Sequence, residues 1–142
     1  MKRWILSGSL ALTLALAALP ALAQTAETPD PDPIDLALDA CFASPDGQST
    51  LGMSECLSTA YAAWDKELNA TYQSLSASLD AKSRGLLRRS QRQWIAYRDA
   101  ERQFWSAPWT EDRGTLIRIT LGQANVDLVK DRVRMLRSYS SP

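Results

Sequence analysis

Ser90–Arg102, SQRQWIAYRDAER, is the stretch whose reading decides the fold. It contains neither Pro nor Gly and is long enough for more than three helical turns at about 3.6 residues each. At about 100° per residue, Trp94, Tyr97 and Glu101 share a flank with Leu87 and Trp105, whereas Arg84, Arg88, Arg92 and Arg102 collect on another. The pattern predicts an amphipathic helix with an aromatic side and a basic side. Gln91 and Arg98 fall between the two, and Asp99 follows directly. Polar groups at the edge of a buried strip need a partner or a ligand.

Upstream, Asp80-Ala81-Lys82-Ser83 makes a short connection to a second helical run. There Met53, Leu57, Ala60, Tyr61, Trp64, Leu68, Thr71, Tyr72, Leu75 and Leu79 step by three and four residues, with Ser49 or Thr50 placed to cap the start. So short a link predicts that the two long helices fold back on each other, aromatic sides together. Asp65 and Asn69 border the second stripe as Gln91 and Arg98 border the first. Before it, Ile34, Leu38, Cys41 and Phe42 mark a short helix ended by Ser44-Pro45-Asp46-Gly47. Downstream, Ala107-Pro108 stops the central helix, and Thr115 is placed to cap a last one running to about Ser138. Its apolar stripe reads Ile117, Leu121, Ala124, Leu128, Arg132 and Met135. No strand pattern occurs. The expected fold is all-α: a small helical bundle built on a long antiparallel helix hairpin, with a short disulfide-stapled N-terminal helix.

The remaining chain sets the compartment. Residues 1–23 have a basic start (Lys2, Arg3), an apolar run and Ala21-Leu22-Ala23 as a small-x-small site, the form of a cleaved signal peptide. Residues 24–33 are rich in Pro and acid and read as a disordered tether, leaving 34–138 as the folded domain. The expected location is periplasmic or secreted, with no stable membrane insertion after cleavage. Two cysteines, Cys41 and Cys56, lie 15 residues apart, and export places them where disulfides persist. A loop of that size gains roughly 3 kcal/mol on closure. Lysine plus arginine balance aspartate plus glutamate at 16 each, so the charge gives no support for nucleic acid as a partner.

Histidine is absent, which removes the commonest general base and metal ligand together. No Gly-rich phosphate loop occurs either, and the sequence gives no catalytic residue, metal site or cofactor to expect. Asp65 and Glu101 could be imagined as a glycosidase pair, but with so many arginines nearby, ion pairing is the simpler expectation. The arginine stripe is a solvated face or an anion contact, and Ile95 inside it adds an exposed apolar spot of the kind found on contact surfaces.

Several of these residues carry a resemblance. Met53-Ser54-Glu55-Cys56, Trp64-Asp65-Lys66-Glu67-Leu68-Asn69 with Tyr72, and Gln91-Arg92-Gln93-Trp94-Ile95-Ala96-Tyr97-Arg98-Asp99-Ala100-Glu101 resemble the LprI-like lysozyme-inhibitor N-terminal domain family, over roughly Cys41 to Arg132. The resemblance implies a small exported helical protein of a family named for a lipoprotein that inhibits lysozyme; with no histidine and no recognisable acid/base pair, no enzymatic activity is expected of this chain. Members often carry a third Cys after the Arg-Asp-Ala-Glu run and a fourth in the last helix; here those places hold Arg102 and, approximately, Gly122 or Gln123. Keeping Cys41 and Cys56 while lacking both others fits a Cys41–Cys56 bridge that is independent of them.

The functional expectation is an exported binding protein that inhibits lysozyme-type muramidases and so protects the cell wall. The alternative is an envelope interaction module for an unknown partner. Candidate interaction or motif residues are Asp65, Asn69, Gln91, Trp94, Arg98, Asp99, Arg88 and Arg92. Arg98, Arg92 and Arg88 are the candidates for entering an acidic cleft. In the alternative, Gln91, Trp94, Arg98 and Asp99 only hold the bundle together.

Overall fold

The computed structural model describes residues 30–140. The expected signal peptide and all but the last residues of the tether lie outside that range. Four α-helices follow in order: α1 (Pro33–Ala43), α2 (Thr50–Ser78), α3 (Ala81–Trp105) and α4 (Gly114–Ser138). Short 3₁₀ turns, Asp46–Gln48 and Pro108–Arg113, lie in the first and last connections. Among the described residues no helix is long and apolar enough to cross a membrane.

Local chemistry sets the helix ends. The Ser49 hydroxyl accepts from Gly52 N–H at 3.0 Å and opens α2. The α2–α3 link is closed from both sides: Asp80 accepts from the N–H groups of Lys82 and Ser83 at 2.8 and 3.0 Å. The Arg84 guanidinium reaches back to the carbonyls of Ser76 and Leu79, at 2.9 and 2.8 Å. Donors at one helix start and acceptors at the other helix end are thereby paired, so a very short turn costs little. The Ser83 hydroxyl and N–H hold the Asp80 carboxyl below the usual carboxylate range. Gly114, not a Thr115 cap, starts α4, in the left-handed conformation at φ 72°.

Consecutive helices alternate in direction. Asp65 meets Arg98 and Tyr61 meets Arg102, so α2 and α3 form the antiparallel hairpin. The widest seam of the molecule nevertheless joins α2 to α4. Leu57 faces Gly122 near one end and Glu67 meets Arg137 near the other, so these two helices run parallel. Along this seam Leu57, Trp64, Leu68 and Leu75 pack against Val126, Val129, Val133 and Leu136, and Trp64 is fully buried. Each such side chain contributes about 1.5–3 kcal/mol on burial. The buried face of the last helix is turned by about one residue, roughly 100°, from the stripe expected on it: Arg132 of that stripe is buried, but Met135 is exposed, and Ile117, Leu121, Ala124 and Leu128 are only half-buried. β-Branched valines and Gly122 allow α4 to approach α2 closely, which the longer Ile/Leu stripe would not.

Helices α1 and α3 lie on opposite flanks of that pair. Cys41 and Cys56 are joined in a disulfide with Cα atoms 5.8 Å apart, which fixes the end of α1 to the start of α2. Its other end is held by charge, Arg137 donating to Asp32 at 2.8 Å and to Glu67 at 2.7 Å while Lys130 pairs with Asp35 at 2.7 Å. Asp32 also caps α1 through Ile34 N–H at 3.0 Å, so Asp32 and Pro33 open the helix. Burial pushes the Asp32 carboxyl up, but the Arg137 and Ile34 hydrogen bonds and the nearby cations more than offset this, leaving it below its ordinary value. Between α1 and α2, Gly47 passes so close to the Cys41 carbonyl that a Cβ would collide with it.

Candidate functional site

The motif residues of α3 converge on its contacts with α2 and α4. Leu87 and Gln91 are buried, with Trp94, Arg98, Glu101 and Trp105 half-buried behind them at helical spacing. Gln91 therefore sits within the buried strip, not at its edge. Tyr97, expected inside, is 53% exposed, because α3 is turned to bring Gln91 and Arg98 inward in its place.

Two guanidiniums bracket the Trp94 ring, Arg98 at 5.4 Å and Arg132 at 5.9 Å. Arg98 donates to Asp99 at 3.0 and 2.9 Å from Nε and Nη2, and to Asp65 at 3.4 Å from Nη1. Its side chain is 16% exposed, so the charge faces the bundle and not solvent. Asn69 donates to the Asp65 carbonyl at 2.8 Å and to its carboxylate at 3.4 Å, steadying the acceptor from within α2. Arg132 donates to Gln91 Oε1 at 3.0 Å and Ser90 Oγ at 3.1 Å. Burial pushes the Arg132 guanidinium below its ordinary pKa, opposed by the charge of Tyr139. Arg102 lies 5.2 Å over the Tyr61 ring and donates to its hydroxyl at 3.2 Å.

These contacts divide the candidate residues into two groups. Asp65, Asn69, Arg98 and Asp99 satisfy one another beside the Trp94 ring, and Gln91 is held by Arg132, so that charge-assisted bonds and ring contacts fasten α3 to the α2–α4 pair. Arg88 and Arg92 are exposed and make no hydrogen bond or ion pair within the described residues, and Arg89 shares their state. The solvent side of α3 thus carries three unpaired guanidiniums, edged by Ile95 on one flank and by exposed Leu86, Tyr97 and Phe104 on the other. Phe104 stacks on Trp109 at 4.9 Å, and Trp109 Nε1 donates to the Phe104 carbonyl at 2.6 Å, which anchors the loop before α4.

Two participants were not singled out by sequence reasoning. Arg89 breaks the four-residue spacing of the stripe but projects from the same outward surface. Arg132 stands in the expected apolar stripe of α4, and a charge in that register is the available signal of a buried polar partner.

Fold and site together define a small all-α module whose internal polar network closes on itself and whose exposed chemistry is a basic, aromatic-edged helix face. Residues 41–136 match the model of the lysozyme inhibitor LprI family, and the chain belongs to that family. A crystal structure of an uncharacterized protein from Burkholderia thailandensis is similar, at 32% sequence identity and a TM-score of 0.72. The match covers 79% of this chain and 57% of that one, so this chain spans little more than half of that protein's length. No match is found among curated proteins. Arg102, at the place where the family resemblance would put a third cysteine, and Gly122, one of the two approximate places for a fourth, line one cavity at the end of the bundle.

Proposed function

We propose that the protein is exported and inhibits a lysozyme-type muramidase through the outward face of α3. Membership of the lysozyme inhibitor family supports the reading. The observation that carries it to a surface is the set of unpaired guanidiniums of Arg88, Arg89 and Arg92 beside Ile95 and Tyr97. Arginine and tyrosine are the residue types that dominate binding energy at protein interfaces. A muramidase works with two carboxylates in a cleft, and a guanidinium forks onto a carboxylate with paired charge-assisted bonds. Arg98 is committed inside the bundle, so Arg88 and Arg92 with Arg89 are the groups assigned to the enzyme. The test is a turbidity assay of muramidase on cell walls with added purified protein. Dose-dependent slowing of lysis supports the reading, and unchanged lysis at large molar excess sinks it.

A second reading, an envelope adaptor without inhibitory activity, is favoured by a different observation. Most of the motif is used in holding helices together, which a scaffold needs as much as an inhibitor does. In that case the α3 face would bind an envelope protein while muramidase activity stays untouched.

A further inference from the structure

Two rows of side chains on adjoining helices face away from the core. On α3, Leu86, Ser90, Gln93, Tyr97, Ala100 and Phe104 are all exposed, and they fall within about 40° of one direction at spacings that alternate four and three. On α4 the same alternation runs through Ile117, Leu121, Ala124, Leu128, Asp131 and Met135. Ile117, Leu121 and Leu128 stand outside the core cluster, and Met135 is 48% exposed. One guanidinium ties the rows together: Arg132 donates to Ser90 Oγ at 3.1 Å and to Met135 Sδ at 3.5 Å. The two rows therefore form one continuous patch. Helix α2 lies on the other side of α3, where Arg98 and Arg102 meet Asp65 and Tyr61, so it does not cover this patch.

We propose that the patch is a two-fold interface between two copies of this chain, with α3 antiparallel to α3 and α4 antiparallel to α4 in a four-helix layer. Alternating spacings of four and three are the seam of paired helices, and each row complements itself when reversed. On α3, Phe104 lies opposite the partner's Leu86 and Ser90 opposite the partner's Ala100. Tyr97 lies opposite the partner's Gln93, a polar pair of the kind that fixes register. On α4, Ile117 lies opposite the partner's Met135 and Leu128 opposite the partner's Ala124.

One axis serves both rows. The α3 row is centred on Ile95 and the α4 row on Val126. Arg132 is level with Ser90 and Gln91 through its hydrogen bonds, and α3 and α4 run antiparallel, so Ile95 is level with Asp127 or Leu128. The two centres thus agree to within about 3 Å along the helices. Leu86 to Phe104 spans about 27 Å and two helices are about 20 Å wide, a footprint near 540 Å² before surface relief is added, against the roughly 600–1,000 Å² per partner of specific interfaces. Arg89 edges the row, but its two copies stand about 18 Å apart along the pair, beyond a Debye length of about 8 Å. Arg88, Arg92 and Ile95 project from the other flank of α3 and stay open, so the dimer neither needs the proposed inhibition nor obstructs those groups.

The test is the mass of the purified protein by sedimentation equilibrium and by light scattering on a sizing column. An interface of this area holds at micromolar concentration or better, so the protein should be a dimer at about 100 μM. Tyr97→Glu and Met135→Glu place a charge at positions exposed in the single chain, where folding tolerates it, and each occurs twice in the interface. Either should weaken the dimer about a hundredfold or more while helical circular dichroism is unchanged. Leu51→Glu, an equally exposed apolar position off the patch, should leave the dimer as it is. A mixture of Ser90→Cys and Ala100→Cys proteins should be joined by a short bismaleimide, and neither protein alone should be, since like positions stand about 15 Å apart. A monomer at about 100 μM overturns the proposal. So does a dimer unmoved by folded Tyr97→Glu and Met135→Glu, one lost in Leu51→Glu, or cross-linking of Ser90→Cys alone in place of the mixture.

Discussion

Breaking the Gln91–Arg132 bond tests whether the motif fastens α3 to α4. Both groups are buried and lie 3.0 Å apart, and the guanidinium has Ser90 and Met135 Sδ as its other partners, with no carboxylate among them. Gln91→Leu removes the acceptor while the charge stays inside, and loss of a hydrogen bond to a charged group should cost about 1.5–3 kcal/mol. Arg132→Met removes the charge but strands a buried amide oxygen, at about 1–3 kcal/mol. Combining them takes out both halves and leaves two apolar side chains of similar volume, so the double variant should lie within about 1 kcal/mol of the parent. The single losses sum to about 2.5–6 kcal/mol against at most about 1 kcal/mol for the double variant, so the coupling between the sites is at least about 1.5 kcal/mol. Urea unfolding followed by helical circular dichroism and tryptophan fluorescence reads all four proteins. A single-variant loss of about 2 kcal/mol corresponds to a midpoint roughly 8 °C lower on heating. Additive effects, with coupling below about 0.5 kcal/mol, would refute the assignment of Gln91 and Arg132 as a fastening pair.

Cys41→Ser with Cys56→Ser should lower stability by roughly 3 kcal/mol, read by urea unfolding, through the 15-residue loop that the bridge closes. Gly47→Ala should destabilise by more than about 2 kcal/mol in the same assay, because the new methyl meets the Cys41 carbonyl and the backbone must shift. Asp32 and Asp80 have folded pKa values below their unfolded ones, so their contribution is complete above about pH 4 and is lost as pH falls through the lower folded values. With no histidine in the chain, the melting temperature should be nearly flat from about pH 5.5 to 8 and drop below about pH 4. In Asp32→Asn the acid-side drop should be shallower.

The helices and their caps were largely legible in the sequence; their partners were not. On α2 the expected stripe is the buried one, from Leu57 through Trp64 and Leu68 to Leu75, because that helix offers a single dominant apolar face. Helix α4 offers two: Gly122, Val126, Val129, Val133 and Leu136 repeat with the same spacing as Ile117, Leu121, Leu128 and Met135. Periodicity cannot choose between two such faces. Close approach to α2 decided it, and that is a property of small and β-branched side chains meeting in three dimensions. A short link identifies neighbours in space, as it did for α2 and α3, but not which pair shares the widest seam. Pattern singles out the polar residues of α3, yet whether Arg98 faces a ligand or Asp65 depends on a contact 33 residues distant in sequence. The cavity that Arg102 and Gly122 line is not legible as a motif, since its walls come from three helices.

The central claim is that this bundle recognises its enzyme with the free arginines of α3, while the Trp94–Arg98 network only supports them. The most direct measurement is the inhibition constant against a lysozyme-type muramidase for the parent and for the triple variant Arg88→Gln, Arg89→Gln, Arg92→Gln. Losing even one strong charge-assisted contact should weaken inhibition about tenfold or more while the unfolding midpoint stays within a few degrees of the parent. Equal inhibition by the folded triple variant, or none by the parent protein, would contradict it.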